Sequence, residues 1–261
     1  MGALEGKVAV ITGAGRGIGR AIALAFAAEG ADGAVAARTR SEIEAVRREV
    51  EAKGRRGLAL PCDVGAAGQI EKVAEEVNRA WGGLDILVAN AGFLRHAPVE
   101  GTSDALWDEI LRVNLSSVFW ATRAVLPAMA RRGWGRVIAM SSVSGKVGGA
   151  NRSAYHAAKH GVIGLVRSAA LEVAGRGVTV NAICPGFVET RMISDNREDF
   201  VRFGGQGRGE EETFRKLREE IPMQRFLDPS EVAGMAAYLA SEDARGITGQ
   251  AFTISCGAVQ A

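Results

Sequence analysis

Short apolar runs alternate with longer amphipathic ones along the whole chain. Val8 to Thr12, Leu58 to Pro61, Ile86 to Ala89, Val137 to Met140 and Val178 to Ile183 are compact and apolar, as expected of buried strands. Between them, Ile18 to Glu29, Ser41 to Lys53, Ala66 to Trp81, Ser103 to Arg131 and Ser153 to Ala174 read as helices, with Ser103 and Ser153 as caps at their starts. A second strand closes at Ala37-Arg38, and a late helix runs from Pro229 to Ala240. Strict alternation implies parallel pairing, because a parallel connection needs a crossover long enough to hold a helix. The pattern predicts an α/β fold with a doubly wound sheet, whose ligand lies beyond the carboxyl ends of the strands. Ser194 to Glu220, rich in charge and glycine, breaks the rhythm and is a candidate active-site lid, at about 191–220.

No break in composition marks a linker, so residues 1–261 are expected to form one domain. The 32 basic and 30 acidic residues are spread along the chain, which leaves no broad field to gather nucleic acid or anionic lipid. Cys62, Cys184 and Cys256 are far apart and form no CxxC pair, which suits a reduced, cytoplasmic protein. The start, Met1 to Lys7, lacks the pattern of a signal peptide, and apolar stretches such as Ala21 to Ala28 are too short to span a bilayer. No membrane association is expected. The three histidines show no metal-ligand spacing, so no metal is expected either.

The first strand runs into Thr12-Gly13-Ala14-Gly15-Arg16-Gly17-Ile18-Gly19. Glycines there let backbone approach a pyrophosphate while the next helix aims its free N–H groups at it. The spacing departs from G-x-G-x-x-G, since the glycines that follow Gly13 in this pattern are Gly17 and Gly19. Asp32 lies at the usual interval for a ribose carboxylate, but it opens the second strand, at the wrong end of the sheet. At the right end stands Arg38, a guanidinium suited to a 2′-phosphate, with Arg16 as a second cation. NADP(H) is favoured over NAD(H) on this ground, against the plainer reading of Arg38 as a solvated loop charge. Asp63 and Val64 follow the third strand and Asn90, Ala91 and Gly92 the fourth, all placed for an adenosine edge. Asp63 as a helix cap and Asn90 as a turn residue are the bland alternatives.

The fifth strand ends at Ser141-Ser142, and thirteen residues after Ser142 stands Tyr155, followed by Lys159 four positions on. That spacing puts phenol and ammonium on one helical face, where the charge favours the ionised phenol. Tyr155 is then a usable acid or base, and Ser142 a hydrogen-bond donor to the same substrate oxygen.

The whole set, Thr12-Gly-x-x-x-Gly17-x-Gly19, Asn90-Ala-Gly92, Asn114, Ser142, Tyr155-x-x-x-Lys159 and Pro185-Gly186, resembles the short-chain dehydrogenase/reductase family in order and spacing. The resemblance implies a Rossmann-type, seven-stranded parallel sheet, usually assembled as tetramers or dimers. It implies a tetrad of Asn114, Ser142, Tyr155 and Lys159, with Lys159 also holding the nicotinamide ribose and Asn114 supporting a proton-relaying water. Pro185, Gly186, Val188 and Thr190 match the family's nicotinamide-side loop. Ala89 in the fourth-strand motif and Ser255-Cys256-Gly257 near the end depart from the usual pattern.

Asn181 to Thr190, the lid and the Cys256 ending are similar to bacterial 3-oxoacyl carrier-protein reductases and polyketide ketoreductases. Ala158-Lys159-His160-Gly161 is similar to 3-hydroxybutyrate dehydrogenases. A carrier-bound thioester calls for a basic rim, for which Arg131, Arg132 and Arg176 are candidates, although cations near helix ends are as well explained by the helix dipole. A small hydroxy acid calls instead for a buried cation near Ser142, with Lys146, Arg152 and Arg191 as candidates. Phe93, Leu94, His96, Val143, Val147, Phe187 and Met192 follow strand ends and are expected around the pocket. A non-catalytic, cofactor-binding scaffold is the alternative from another class; the complete tetrad argues against it.

Overall fold

The computed structural model describes residues 2–260. β1 (Val8–Thr12) leads into α1 (Gly17–Ala28), β2 (Asp32–Ala37) into α2 (Arg40–Glu51), and β3 (Gly57–Pro61) into α3 (Gln69–Trp81). β4 (Ile86–Ala89) precedes α4 (Asp104–Leu111) and α5 (Ser117–Arg132), and β5 (Gly135–Met140) precedes α6 (Ser153–Val173). After β6 (Val178–Pro185) come α7 (Arg191–Ser194), α8 (Arg197–Gly204), α9 (Glu210–Glu219) and α10 (Pro229–Ala240), then β7 (Ala251–Ile254). The strands form one seven-stranded parallel sheet in the order β3-β2-β1-β4-β5-β6-β7. Strand order reverses between β1 and β4, so the loops that leave these strands part and open a crevice at their carboxyl ends.

The two-residue period of a strand explains why the apolar runs show no polar alternation. Ala9 and Ile11 of β1 join one core layer with Ile22, Phe26 and Ala236, under α1 and α10. Val8 and Val10 join the other with Val77, Val125 and Val166, under α3, α5 and α6. Both faces are covered, so both registers must be apolar.

Three expectations need correction. Ser103 caps α4 by accepting from Leu106 N, but the expected single helix to Arg131 is broken by a π turn at Arg112–Ser116. Buried Asn114 holds that turn against the loop after β4: its Nδ2 donates to Phe93 O (3.0 Å) and Ile110 O (3.1 Å), and its Oδ1 accepts from Phe93 N (3.2 Å). Ser153 is the first residue of α6 rather than its cap; Arg152 holds the cap position, without a side-chain cap bond. The third helix begins at Gln69 rather than Ala66, after Gly68 in a left-handed conformation. The stretch at 191–220 is occupied by α7, α8 and α9. Phe187, Phe200, Phe214 and Phe226 give it an apolar anchor, their rings packed at 5.3 to 5.8 Å and, for the last pair, 6.4 Å. Dispersed among charges, these phenylalanines leave no periodic signal in the sequence.

Candidate functional site

A cavity of about 520 Å³ lies over the crevice, walled by the loops that leave the strands and by residues of α7 and α8. One end is built by the glycine turn. Arg16 occupies the cap position of α1 and makes no side-chain cap bond, so no side chain takes up the first-turn N–H groups of Gly17, Ile18 and Gly19, which line the cavity. Such donors at a helix start suit a pyrophosphate. The turn cannot admit side chains: a Cβ on Gly19 would stand 2.4 Å from Gly13 O and 2.6 Å from Asn90 Nδ2, and one on Gly13 would stand 2.8 Å from Ala91 Cα. Gly19→Ala is therefore expected to weaken dinucleotide binding at least tenfold, measured by quenching of tryptophan fluorescence; unchanged affinity would show that the turn is not the binding surface.

Asn90, Ala91 and Gly92 form the floor of this end. The Asn90 side chain faces the turn rather than the adenosine edge, with Nδ2 donating to Thr12 O (2.9 Å) and Gly13 O (3.3 Å). Thr12, which the sequence offered only as part of a motif, is its counterpart: Oγ1 accepts from Asn90 N (3.0 Å) and Ala91 N (3.1 Å). Asp63 and Val64 line the cavity. Asp63 Oδ1 accepts from Gly65 N (2.9 Å), a local turn, while Gly68 caps α3, so Asp63 is not that helix's cap. Asp32 lies at the far end of the sheet, where it accepts from Arg56 N (2.7 Å) and pairs with that guanidinium (2.7 Å).

Arg38 is exposed at the cavity rim. Glu42, from the first turn of α2, also lines the cavity and was not anticipated; its only sequence signal is an acidic residue early in a helix. Arg16 reaches Glu42 and Asp195 (3.8 Å each), and Arg191 reaches Glu42 (3.3 Å), so α7 is tied across the groove. Pro185, Gly186, Val188 and Thr190 form the opposite wall.

At the other end, Ser142, Tyr155 and Lys159 converge in the same cavity. Ser142 Oγ accepts from Ser144 N (3.1 Å) and donates to Pro185 O (3.4 Å), with the Tyr155 phenol close enough to feel it. Lys159 Nζ donates to Met140 O (2.8 Å) and lies 5.6 Å from the centre of the Tyr155 ring. Asn114 does not line the cavity but lies just beneath it: a Cβ on Gly92 would stand 2.6 Å from Asn114 Oδ1 and 3.6 Å from Lys159 Nζ. Without a side chain at Gly92, the four polar residues form one group.

Burial pushes the Tyr155 phenol up, while the Ser142 hydrogen bond and the Arg152 charge pull it down. The sequence reading gave the downward pull to Lys159; in the structure that ammonium is turned to Met140 O. Burial brings Lys159 itself down to about 8. His156, also missed, anchors the loop that follows Ser142: its Nδ1 lies 2.9 Å from Ser144 O and 2.8 Å from Val147 O.

Of the expected pocket residues, Phe93, Leu94, Val143, Phe187 and Met192 line the cavity, whereas Val147 and His96 do not. The loop turns His96 towards α8, where it packs on Phe200 and Phe203 and lies 3.5 Å from Asp199. Arg131, Arg132 and Arg176 are absent from the lining. Arg132 lies 3.6 Å from Asp85, just before β4, and Arg176 donates to Glu172 O (2.8 Å), both near the amino ends of strands. Within one chain they make no rim to this cavity.

A family model described as enoyl-(acyl carrier protein) reductase matches residues 13–259. The chain belongs to the short-chain dehydrogenase/reductase family. Such a member is an oxidoreductase that uses a nicotinamide cofactor. Relatives spanning almost the full length include D-beta-hydroxybutyrate dehydrogenase of Cupriavidus necator, 38% identical with 97% of this chain and 98% of the relative covered. A 3-oxoacyl-(acyl-carrier-protein) reductase of Staphylococcus epidermidis is 36% identical, with 96% and 98% covered. A solved variant of actinorhodin polyketide ketoreductase with NADPH superposes with a TM-score of 0.93 at 36% identity, covering 99% of each chain.

In this family member the departures stay clear of the polar group. Ala89 is buried in the core. Ser255 Oγ accepts from Val259 N and donates to Val259 O (3.1 Å each), and Cys256 takes a left-handed φ of 53°. Among the described residues no cluster could hold a metal ion, and no helix is long and apolar enough to cross a membrane.

Proposed function

We propose that this short-chain dehydrogenase/reductase interconverts a ketone and a secondary alcohol using NADP(H), with Tyr155 as the proton-transfer residue. The observation that carries the reading is the convergence of Tyr155, Ser142 and Lys159 in a cavity continuous with the glycine turn. The cradle fits a nicotinamide dinucleotide through its uncapped helix start and the glycines at 13 and 19, where a Cβ has no room. When bound, that cofactor supplies or accepts the hydride.

In reduction, Tyr155 gives its phenolic proton to the carbonyl oxygen, so one hydride and one proton convert C=O to CH–OH. Ser142 donates a hydrogen bond to the same oxygen, where negative charge develops. The Lys159 ammonium stabilises the phenolate left behind and is placed to bind the nicotinamide ribose. Asn114 fixes the floor at Gly92 next to Lys159, the place for a water that returns a proton. In oxidation every transfer reverses. Gly13, Arg16, Gly17, Ile18 and Gly19 hold the pyrophosphate; Asp63, Val64, Asn90, Ala91 and Gly92 flank the adenosine; Pro185, Gly186, Val188 and Thr190 face the nicotinamide.

The charge at the rim supports NADP(H): Arg16, Arg38 and Arg191 stand against Glu42 and Asp195, and Arg38 has no acidic partner among the described residues. The relative solved with NADPH agrees. The test is oxidation of NADPH against NADH with an acetoacetyl thioester, free acetoacetate and a bicyclic ketone. NADPH is expected to be preferred, and Arg38→Asp is expected to cut that preference about 30-fold, the worth of one charge-assisted contact. A wild-type preference for NADH overturns the cofactor reading; no oxidation with any ketone restores the scaffold alternative.

Two substrate classes suit this chemistry, a 3-oxoacyl thioester or polyketide-type ketone and a short hydroxy acid. The second is favoured by one observation, a cation at the substrate end of the cavity. Exposed Trp107, Phe119 and Leu171 on α4, α5 and α6 support assembly into a dimer or tetramer.

A further inference from the structure

Arg152 stands in the cap position of α6, three residues before Tyr155, which places the two side chains on neighbouring turns of one helix face. Its backbone is fixed from both sides. Ala97 N donates to Asn151 O (2.8 Å), a parallel bridge joins Ala97 to Arg152, and His156 N donates to Arg152 O (2.9 Å). Asn151 supplies the left-handed turn (φ 60°) that starts this arrangement, a conformation asparagine tolerates.

The side chain lines the cavity that holds Ser142 and Tyr155, and Phe93, Leu94 and Val143 are apolar members of the same lining. Among the described residues it has no ion pair and its guanidinium makes no hydrogen bond, unlike Arg16 and Arg191, which reach acidic partners in the same cavity. Glu109 also lines the cavity, from α4, and pairs with neither Arg152 nor Arg95, the exposed arginine that bonds to Leu94 O at 3.1 Å. Partial burial lowers the Arg152 guanidinium from its ordinary value, and the Tyr155 phenol acts in the opposite direction. Beside it, His156 uses Nδ1 on the Ser144 and Val147 carbonyls and leaves Nε2, buried, without a partner.

A half-buried guanidinium without an anion is an arrangement that a bound carboxylate improves, and the planar fork matches a carboxylate with two parallel hydrogen bonds. We infer that Arg152 is a specificity-determining residue that binds the carboxylate of a short oxo acid or hydroxy acid while its carbonyl or alcohol carbon lies at Tyr155 and Ser142. This deepens the proposed ketone–alcohol reading and rests on it. A thioester or a neutral ketone offers no charge at that point and leaves Arg152 unpaired. Bidentate binding also fixes which face of the carbonyl meets the hydride, because the acid is held at two points, its carboxylate and its reacting oxygen.

The experiment measures kcat and KM with the preferred cofactor for pyruvate, acetoacetate and levulinate, each against its methyl ester, in the wild type, Arg152→Lys and Arg152→Met, with circular dichroism to confirm folding. For the best acid, the wild type is expected to favour acid over ester at least 30-fold in kcat/KM. Arg152→Met is expected to erase that ratio mainly through KM, and Arg152→Lys to keep part of it, since an ammonium retains the charge and loses the fork. Esters or the thioester used as well as the acids, or the acid preference surviving in Arg152→Met, overturns the inference. Should the Met variant fail to fold, the wild-type ratio and the Lys variant decide. Absence of cofactor oxidation with acids, esters and neutral ketones alike is a different result, and sinks the oxidoreductase reading beneath it.

Discussion

Tyr155→Phe is expected to lower kcat about a thousandfold, roughly 4 kcal/mol of transition-state stabilisation, while the protein still binds its cofactor. The substitution removes one oxygen from a side chain that is otherwise buried, and the ring continues to fill its place in the core layer beside Ala154 and Ala158. What is lost is the phenolic proton source that lines the cavity beside Ser142. Burial holds the phenol above its ordinary value, so it stays protonated through neutral pH, the form that reduction needs. Cofactor titration by fluorescence separates a binding defect from a chemical one. A Phe variant that keeps turnover within tenfold of the wild type removes Tyr155 from the mechanism.

Lys159→Met is expected to lose activity at least a hundredfold and, without cofactor, to be more stable than the wild type at pH 7. Lys159 is almost fully buried, and burial brings its folded value down to about 8 from 10.5. Between those values the unfolded chain binds the proton more tightly than the folded one, so stability rises as pH climbs through this window. Below it both states are protonated, and the buried ammonium costs about 3 kcal/mol relative to alkaline pH. The hydrogen bond to Met140 O would be lost in the variant, which removes about 1 kcal/mol of the gain. A net gain of about 2 kcal/mol corresponds to a rise in Tm of a few degrees for a chain of this size. The advantage should shrink as thermal melts are repeated from pH 8 towards 10.5. A variant that melts below the wild type across this range shows that the ammonium is not a burden on the fold. It would then be part of what holds β5 to α6.

Much of the site could be read from residues close together in sequence. Gly13 and Gly19 mark a turn because a Cβ there collides with Ala91, Asn90 or the turn's own backbone, and Gly17 because it takes a left-handed φ of 54°. Tyr155 and Lys159 share a face because an α-helix returns to the same side every four residues. Asp32 could be set aside by its place at the start of a strand, and it is indeed held by Arg56 at the far end of the sheet.

Other features had no local signature. The π turn at Asn114 depends on bonds to Phe93, in a different loop, which helical periodicity cannot register. Glu42 belongs to the cavity only because α2 packs beside the glycine turn, where Arg16 and Arg191 meet it. Arg131, Arg132 and Arg176 look like a basic patch in sequence, but strand direction carries their helix ends away from the cavity.

The sequence alone determined the alternation of strand and helix, the glycine turn after the first strand and the four-residue spacing of Tyr155 and Lys159, since each is set by short-range geometry and by the need to bury apolar side chains. Tertiary structure decided which charges have partners. Among the described residues Arg16, Arg191 and Arg132 have acidic ion-pair partners and Arg152 has none, a distinction that depends on distances between segments remote in the chain. Coulomb interactions follow those distances and the local burial, neither of which residue order specifies by itself.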